Sequence, residues 1–450
     1  MGHILPLVPV LLPLLVASLL LLRPAATWGR LLSALGVGGG LVAALLLVAG
    51  TASGAIGVVA LGDWDAPYGI VLVADRLSAT LALLLFALAV PALWAACRGP
   101  DPLDRRGPWF HVLFQVQLAG VAGAFLTGDL FNLFVFFEIL LIASYALLAH
   151  GSGVLAPRAA LPYAALNLVG SALFLVALGL VYGTLGTLNM ADIAEILPDV
   201  PAGSLALVRV ALLLMGLVFL MKGALMPFGL WLPASYSAAE APVALLFAIL
   251  TKVGIIAYLR LSVTVLGDSP AAAALFAPWL QLFALATIAV GLVQLLAARR
   301  LVLVACALVI VSSGTLLFAL ADGGPRALAA LLYYLPHSVL ATAGLFLLAG
   351  AIETARGEEG DRLERGHPVG GAGAAALFAL LAVTLAGLPP LSGFLGKLMM
   401  MQGAGAGGWR AAWWAMLLAA GLVAALVFAR AGSRLFWEAR DGGAPVRLLP

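Results

Sequence analysis

The chain has 450 residues, 64% of them hydrophobic and 10% charged, with a mean hydropathy of +1.15 and a formal net charge of +3. A soluble domain carries about 25% charged residues because its surface must be wetted, so this composition excludes a string of soluble domains and turns most of the surface toward lipid. The pI near 9.0 does not mark a nucleic-acid binder, because the excess is small and the arginines are spread over short loops.

A helix needs about 20 apolar residues to cross the hydrocarbon core. Thirteen such runs are predicted, near 4–22, 33–61, 71–96, 109–127, 130–149, 159–183, 205–231, 241–263, 273–297, 301–320, 327–351, 371–400 and 411–436. The first lacks the basic n-region and small-residue cleavage site of a signal peptide and is read as a retained helix. Placing the N-terminus outside puts fifteen arginines on the inner side and five on the outer, the asymmetry expected of cytoplasmic loops. The longest polar stretch, Glu353 to His367, is then a solvated inner loop.

Cys97 and Cys306 lie in or beside apolar runs without a CxxC partner, so neither a disulfide nor a metal site is expected. The five histidines, His3, His111, His150, His337 and His367, are widely spread and only His337 sits mid-helix, which speaks against a bis-histidine haem. No cofactor is expected.

The fifth span, TGDLFNLFVFFEILLIASYALL, carries Glu138 nine residues past Asp129. At about 1.5 Å per residue that is about 13 Å deep, close to the midplane. Burial disfavours the charged carboxylate and a neighbouring lysine favours it, so the position suits a switchable pair; the competing reading is a static ion pair. Asp129 stands at the helix mouth, either a candidate channel mouth or an ordinary helix cap.

The twenty arginines are nearly all at helix ends or in loops, whereas the three lysines, Lys222, Lys252 and Lys397, fall inside long apolar runs. Lysine releases its proton when desolvated and arginine does not, so a group that must alternate between charged and neutral has to be lysine. Each buried charge costs about 2.5–3.5 kcal/mol on insertion scales, so these groups should pair or line a hydrated cavity. Snorkelling to an interface is the competing reading of any one of them.

Two of the lysines accompany helix breaks. The seventh span reads MKGALMPFGLWLPASYSAAEAP, with Pro227 and Pro233 behind Lys222, and the twelfth reads LAGLPPLSGFLGKLMM, with Pro389 and Pro390 ahead of Lys397. Proline removes a backbone donor and clashes with the preceding turn, so the helices should break near Pro227 and Pro389–Pro390. The two spans are five helices apart, and an odd offset reverses orientation, as in an inverted five-helix repeat with discontinuous helices beside the transport path. Packing kinks without transport meaning are the alternative. In the eleventh span, LLYYLPHSVLATAGLFLLAG, His337 follows Pro336; it is either a proton relay or a hydrogen-bonded core histidine.

The stretch around Glu138, the KGALMPFGLWLPASYSAAEAPVALLFAILTKVGIIAYLRL segment with Lys222 and Lys252, and GLPPLSGFLGK ending at Lys397 resemble the proton-conducting antiporter-like subunits of Mrp cation/proton antiporters and respiratory complex I. FFEILLIASYALL is most similar to the D-type subunit of the Mrp-type antiporters, the multisubunit Na+/H+ or Pha-type K+/H+ systems. The resemblance covers nearly the whole chain. It implies an all-α polytopic bundle of about 13–14 transmembrane helices with two inverted five-helix repeats and discontinuous helices 7 and 12. It also implies a coupled Glu138–Lys222 pair and a hydrated midplane path continuing through Lys252, His337 and Lys397. Two departures stand out: complex I relatives often carry a lysine where this chain has Thr342, and the sequence stops after FWEARDGGAPVRLLP, before the usual fourteenth span.

The expected organisation is three N-terminal helices over 1–108, a first repeat over 109–265, a second over 266–437, and a short cytoplasmic tail over 438–450. The expected function is proton conduction in a hetero-oligomeric monovalent cation (Na+ or K+)/proton antiporter of a prokaryotic plasma membrane. This is secondary transport without covalent chemistry, and no GxxxxGK[ST] nucleotide motif occurs. The competing classes are a complex I or membrane hydrogenase subunit, a non-transporting structural subunit, and a haem or quinone enzyme.

Overall fold

The computed structural model describes residues 4–22, 26–64, 66–99, 101–150, 155–267, 277–364, 366–405, 407–437 and 446–447. His3, Arg23, Arg365, Arg440 and the expected tail, apart from 446–447, lie outside the described residues. Among the described residues eleven helices are long and apolar enough to cross a membrane, and two shorter apolar helices, Phe110–Leu126 and Ala372–Ala386, fill the other two of the thirteen predicted places. The chain is therefore a multi-pass membrane protein.

In chain order the helices are α1 (Val8–Leu22), α2 (Ala26–Thr51), α3 (Arg76–Ala96), α4 (Phe110–Leu126), α5 (Leu130–Ala149), α6 (Leu155–Leu185), α7 (Met190–Ile196), α8 (Ala202–Lys222), α9 (Trp231–Tyr236) and α10 (Ala241–Arg260). They continue with α11 (Ala277–Ala297), α12 (Leu301–Asp322), α13 (Pro325–Arg356), α14 (Ala372–Ala386), α15 (Ser392–Gly403) and α16 (Arg410–Gly432). Two compact units result: Met1–Lys222 with Val253–Leu275, and Gly223–Lys252 with Phe276–Pro450.

In the first unit α1 packs on α2 and α4, α4 on α3 and α5, and α6 on α5 and α8. Glycine permits the closest of these approaches: a Cβ on Gly120 of α4 would stand 2.7 Å from the backbone nitrogen of Leu140 on α5, the small-residue contact by which membrane helices associate. In the second unit α12 is enclosed by α11 and α13, α13 packs on α14 and α15, and α16 on α11 and α14. On α16, Leu418, Leu422 and Leu426 repeat every four residues and are 63%, 63% and 58% exposed. Such an apolar stripe is stable only against lipid or another apolar surface.

Two predicted boundaries move. The run expected to be helical over 33–61 leaves the helix at Thr51, and β1 (Gly57–Ala60) pairs antiparallel with β2 (Val71–Ala74), which also trims the third span to start at Arg76. Hydropathy alone does not separate an apolar strand from an apolar helix end. The start of α3 is set by Asp75, whose side chain accepts from the Ser78 amide (2.7 Å) while the Asp75 amide donates to the Ser78 hydroxyl, a capping box that satisfies two end donors.

Asp75 also receives a bidentate pair from Arg260 at 2.9 and 3.0 Å. Burial pushes the Asp75 carboxyl up, but the Arg260 guanidinium and the Ser78 donors outweigh it and hold the group below the ordinary carboxylate range. This depressed carboxyl adds stability that is present above its unfolded-state pKa and lost as pH falls through the lower folded value. Arg260→Gln is expected to cost roughly 1.5–3 kcal/mol at neutral pH, read as a lower thermal midpoint of the purified protein. The gap to wild type should close as acid titrates Asp75.

Candidate functional site

Helix α8 ends at Lys222, and the chain resumes helical structure only at Phe228. Ala224, in this break, sits in the left-handed region at φ 57, uncommon for a residue with a side chain. The break is covered within its own unit: the amide of Met226 donates to Thr287 Oγ1 on α11 at 3.0 Å, so an exposed donor is satisfied at membrane depth. The second predicted break is also present. Gly387, at φ 77, ends α14, its amide and that of Leu388 return to the carbonyl of Val383, and α15 starts at Ser392 beyond Pro389 and Pro390. A positive-φ glycine of this kind is a common helix stop.

In the first unit, Glu138 projects from α5 and accepts a short hydrogen bond from the Ser171 hydroxyl of α6. Lys222 is buried, and its Nζ makes no hydrogen bond among the described residues. It lies 4.8 Å from the ring centroid of Phe137, the residue before Glu138. Phe137, Phe174 and Phe219 pack around this point with ring centroids 5.3–6.2 Å apart. Among the described residues Glu138 and Lys222 make no contact as short as a salt bridge: Ser171 holds one carboxylate oxygen and an aromatic face lies against the ammonium, while the Glu138 charge is near enough to act on it. A desolvated cation–π contact is worth about 2 kcal/mol against an insertion cost of about 2.5–3.5 kcal/mol. The amine is thus held at small net cost and without a directional partner.

Asp129 acts first as a cap. Its carboxylate accepts from the Asn132 amide at 2.7 Å, Asn132 Nδ2 donates to Thr127 Oγ1 at 3.1 Å, and the segment bridges to Asn189 ahead of α7. This buried arrangement answers the start of α5 whatever else Asp129 does.

In the second unit, Lys252 is 1% exposed and donates to Ser312 Oγ at 2.6 Å and Ser313 Oγ at 3.3 Å on α12. Ser312 in turn donates to the carbonyl of Val309 at 2.8 Å, which turns its oxygen lone pairs toward the ammonium. His337 on α13 shares a 3.0 Å hydrogen bond through Nδ1 with Ser392 Oγ, the first residue of α15. Lys397, five residues along α15, donates to the carbonyl of Ala386 at 2.8 Å. That carbonyl is one the broken helix leaves without an intrahelical partner. Thr342 is buried and bonds back to the Ser338 carbonyl at 2.6 Å.

The break also crowds His337. A Cβ on Gly393 would meet the Thr384 carbonyl and stand 3.0 Å from His337 Cε1. Gly393→Ala is expected to displace His337 from Ser392 and to lower proton flux roughly tenfold or more, as misplacement on the ångström scale does elsewhere. Unchanged flux in an assembled variant would remove His337 from the path.

Sequence reasoning missed the partners: Ser171, Ser312, Ser313 and Ser392. Each is a hydroxyl in an otherwise apolar helix, as in LVGSALF, VIVSSGT and PLSGFLGK, and that isolation was the available signal.

A many-span helical bundle with broken helices and buried amines has the build of a membrane transport component. The family model for the transmembrane region of NADH:quinone oxidoreductase/Mrp antiporter proteins matches residues 127–426, and the chain belongs to this family. D-type antiporter subunits are among its curated relatives. It is 41% identical over 485 aligned positions, covering 99% of this chain and 89% of the relative, to the D-type subunit of a probable K(+)/H(+) antiporter of Rhizobium meliloti (strain 1021). It is 37% identical over 402 positions, 88% of this chain and 79% of the relative, to the D-type subunit of the Na(+)/H(+) antiporter of Bacillus subtilis (strain 168). Among solved structures it resembles a chain of the Mrp complex from Dietzia sp. (TM-score 0.86, 27% identity, 97% of this chain and 80% of that one). It also resembles a chain of respiratory complex I from Thermus thermophilus (TM-score 0.80, 25% identity, 100% and 91%).

Proposed function

We propose that this chain is the proton-conducting subunit of a multisubunit Na+ or K+/proton antiporter, working with other, different subunits in the plasma membrane of a prokaryote with its N-terminus outside. The observation that carries the reading is Lys222: a buried amine without a hydrogen-bond partner among the described residues, held over Phe137 beside Glu138 at the end of a broken helix. The antiporter names of the D-type relatives favour this over the redox-pump alternative.

In the proposed route a proton enters one half-channel and reaches the midplane through Lys252 and Lys222. It then passes His337 toward Lys397 and the other half-channel. Glu138 stabilises protonated Lys222 when the two approach. Its retreat to Ser171 withdraws that stabilisation and releases the proton onward. Asp129 stands at the mouth of this route. The helices over 109–265 and 266–437 are proposed as the two inverted repeats, with the breaks at Pro227 and at Pro389–Pro390 as corresponding points. Each proton moving down a potential of 100 mV supplies about 2.3 kcal/mol, which drives export of the cation.

The test is ion-specific flux in vesicles holding the whole complex. Cation-dependent proton movement that is lost in Glu138→Ala is the expected result. Wild-type flux in a fully assembled Glu138→Ala complex would overturn the conducting role.

A further inference from the structure

Away from this route, the connection between α3 and α4 gathers three donors spaced seven residues apart. Cys97 caps α3, Asp104 lies in the 3-10 turn Leu103–Arg105, and His111 stands in the first turn of α4. Their ligand atoms, one sulfur, one carboxylate oxygen and one ring nitrogen, all lie within 4.8 Å of one another. We propose that Cys97, Asp104 and His111 form a binding site for a divalent transition-metal ion, with Zn2+ the natural occupant.

The His111 ring is already oriented for it. Its Nδ1 is 3.0 Å from Ser33 Oγ on α2, which leaves Nε2 buried, without a hydrogen-bond partner, and 3.5 Å from Asp104 Oδ2. The two atoms face each other at a separation that a shared cation can bridge. Zinc binds imidazole nitrogen and carboxylate oxygen at about 2.0–2.2 Å in tetrahedral geometry, which puts two such ligands about 3.4 Å apart. A proton on Nε2 would make the same contact a His111–Asp104 ion pair; it is the thiol of Cys97, a third donor within 4.8 Å, that suits the cluster to a borderline-soft metal.

The surroundings supply what such a site needs. Arg30 Nε and Nη2 hold Asp104 Oδ2 and Oδ1 at 2.5 and 2.9 Å, so the carboxylate is fixed by Arg30, which shares the oxygen facing His111, as the histidine is fixed by Ser33. The side chains of Asp104 and His111 are 0% and 6% exposed, whereas Cys97 is half-buried and offers the entry path. Water takes the fourth position. Coordination of the thiolate releases a proton to solvent, so binding weakens as the pH falls. A bound ion ties the end of α3 to the start of α4 and, through Arg30 and Ser33, to α2.

Co2+ is the probe, added to the purified full-length chain. The expected result is the near-ultraviolet charge-transfer band of a cobalt–thiolate bond with the intense visible bands of four-coordinate Co2+. Zn2+ should displace both. The bands should be lost in Cys97→Ser and in His111→Gln and kept in Cys306→Ser. In parallel, Zn2+ should slow maleimide labelling of Cys97 in wild type and not in His111→Gln. A wild-type chain that shows no thiolate band, or a Cys97→Ser variant that keeps the full spectrum, would overturn the site and leave an Arg30–Asp104–His111 ion network only. The readouts do not depend on transport, so the outcome is separate from that of the proposed function.

Discussion

Lys222→Met is expected to abolish cation-dependent proton flux while the complex still assembles. Methionine keeps most of the length and volume of the lysine stem, so the packing against Phe137 is largely conserved. What disappears is a buried amine whose Nζ makes no hydrogen bond among the described residues. Removing it breaks no hydrogen bond among the described residues and recovers part of an insertion cost of about 2.5–3.5 kcal/mol, less about 2 kcal/mol of lost cation–π attraction. Thermal stability should therefore stay level or rise slightly as transport falls to background. Lys222→Arg should fail as well, because a guanidinium keeps its proton. Proton flux surviving in Lys222→Met, measured by a pH-sensitive dye in vesicles with the whole complex, would show that the amine is no station.

Lys252→Met should stop flux by a different route. Here the amine has two hydroxyl partners, and Ser312, the nearer of them, keeps its bond to Val309 when the lysine is lost. The variant is expected to fold and assemble normally. The converse change, Ser312→Ala with Ser313→Ala, leaves the ammonium buried with neither acceptor and should cost about 1–3 kcal/mol for each lost partner, seen as a lower yield of assembled complex. The two together separate conduction from support. Normal flux in Lys252→Met with poor assembly in the serine double variant would make Lys252 a structural anchor.

The features behind these expectations are unequally visible in the sequence. The confinement of lysine to three intramembrane places, the carboxylate nine residues past Asp129 and the prolines behind Lys222 and ahead of Lys397 are linear facts. Proline within a span removes a backbone donor, and the interruptions after Lys222 and after Ala386 appear where expected. The strand pair Gly57–Ala60 and Val71–Ala74 did not, because its partner residues read as the apolar ends of two spans.

Partners were the least legible. Glu138 and Lys222 look like an ion pair along the chain, yet the bundle gives the carboxylate to Ser171 and the amine to Phe137. Nothing in the spacing of Cys97, Asp104 and His111 met a metal motif, and the linear sequence points to no metal there. Only the turn between α3 and α4 brings their donor atoms within 4.8 Å.

Composition, periodicity and proline placement by themselves determined that this is a many-span helical membrane protein with titratable groups at depth in broken helices. These are properties of single segments in lipid, where each helix must satisfy its own backbone and each charge carries its own cost. Tertiary structure decided which hydroxyl, ring or freed carbonyl meets each charge. Those contacts join residues from different helices, and the order of residues along one helix holds no record of which side chain a neighbouring helix will present.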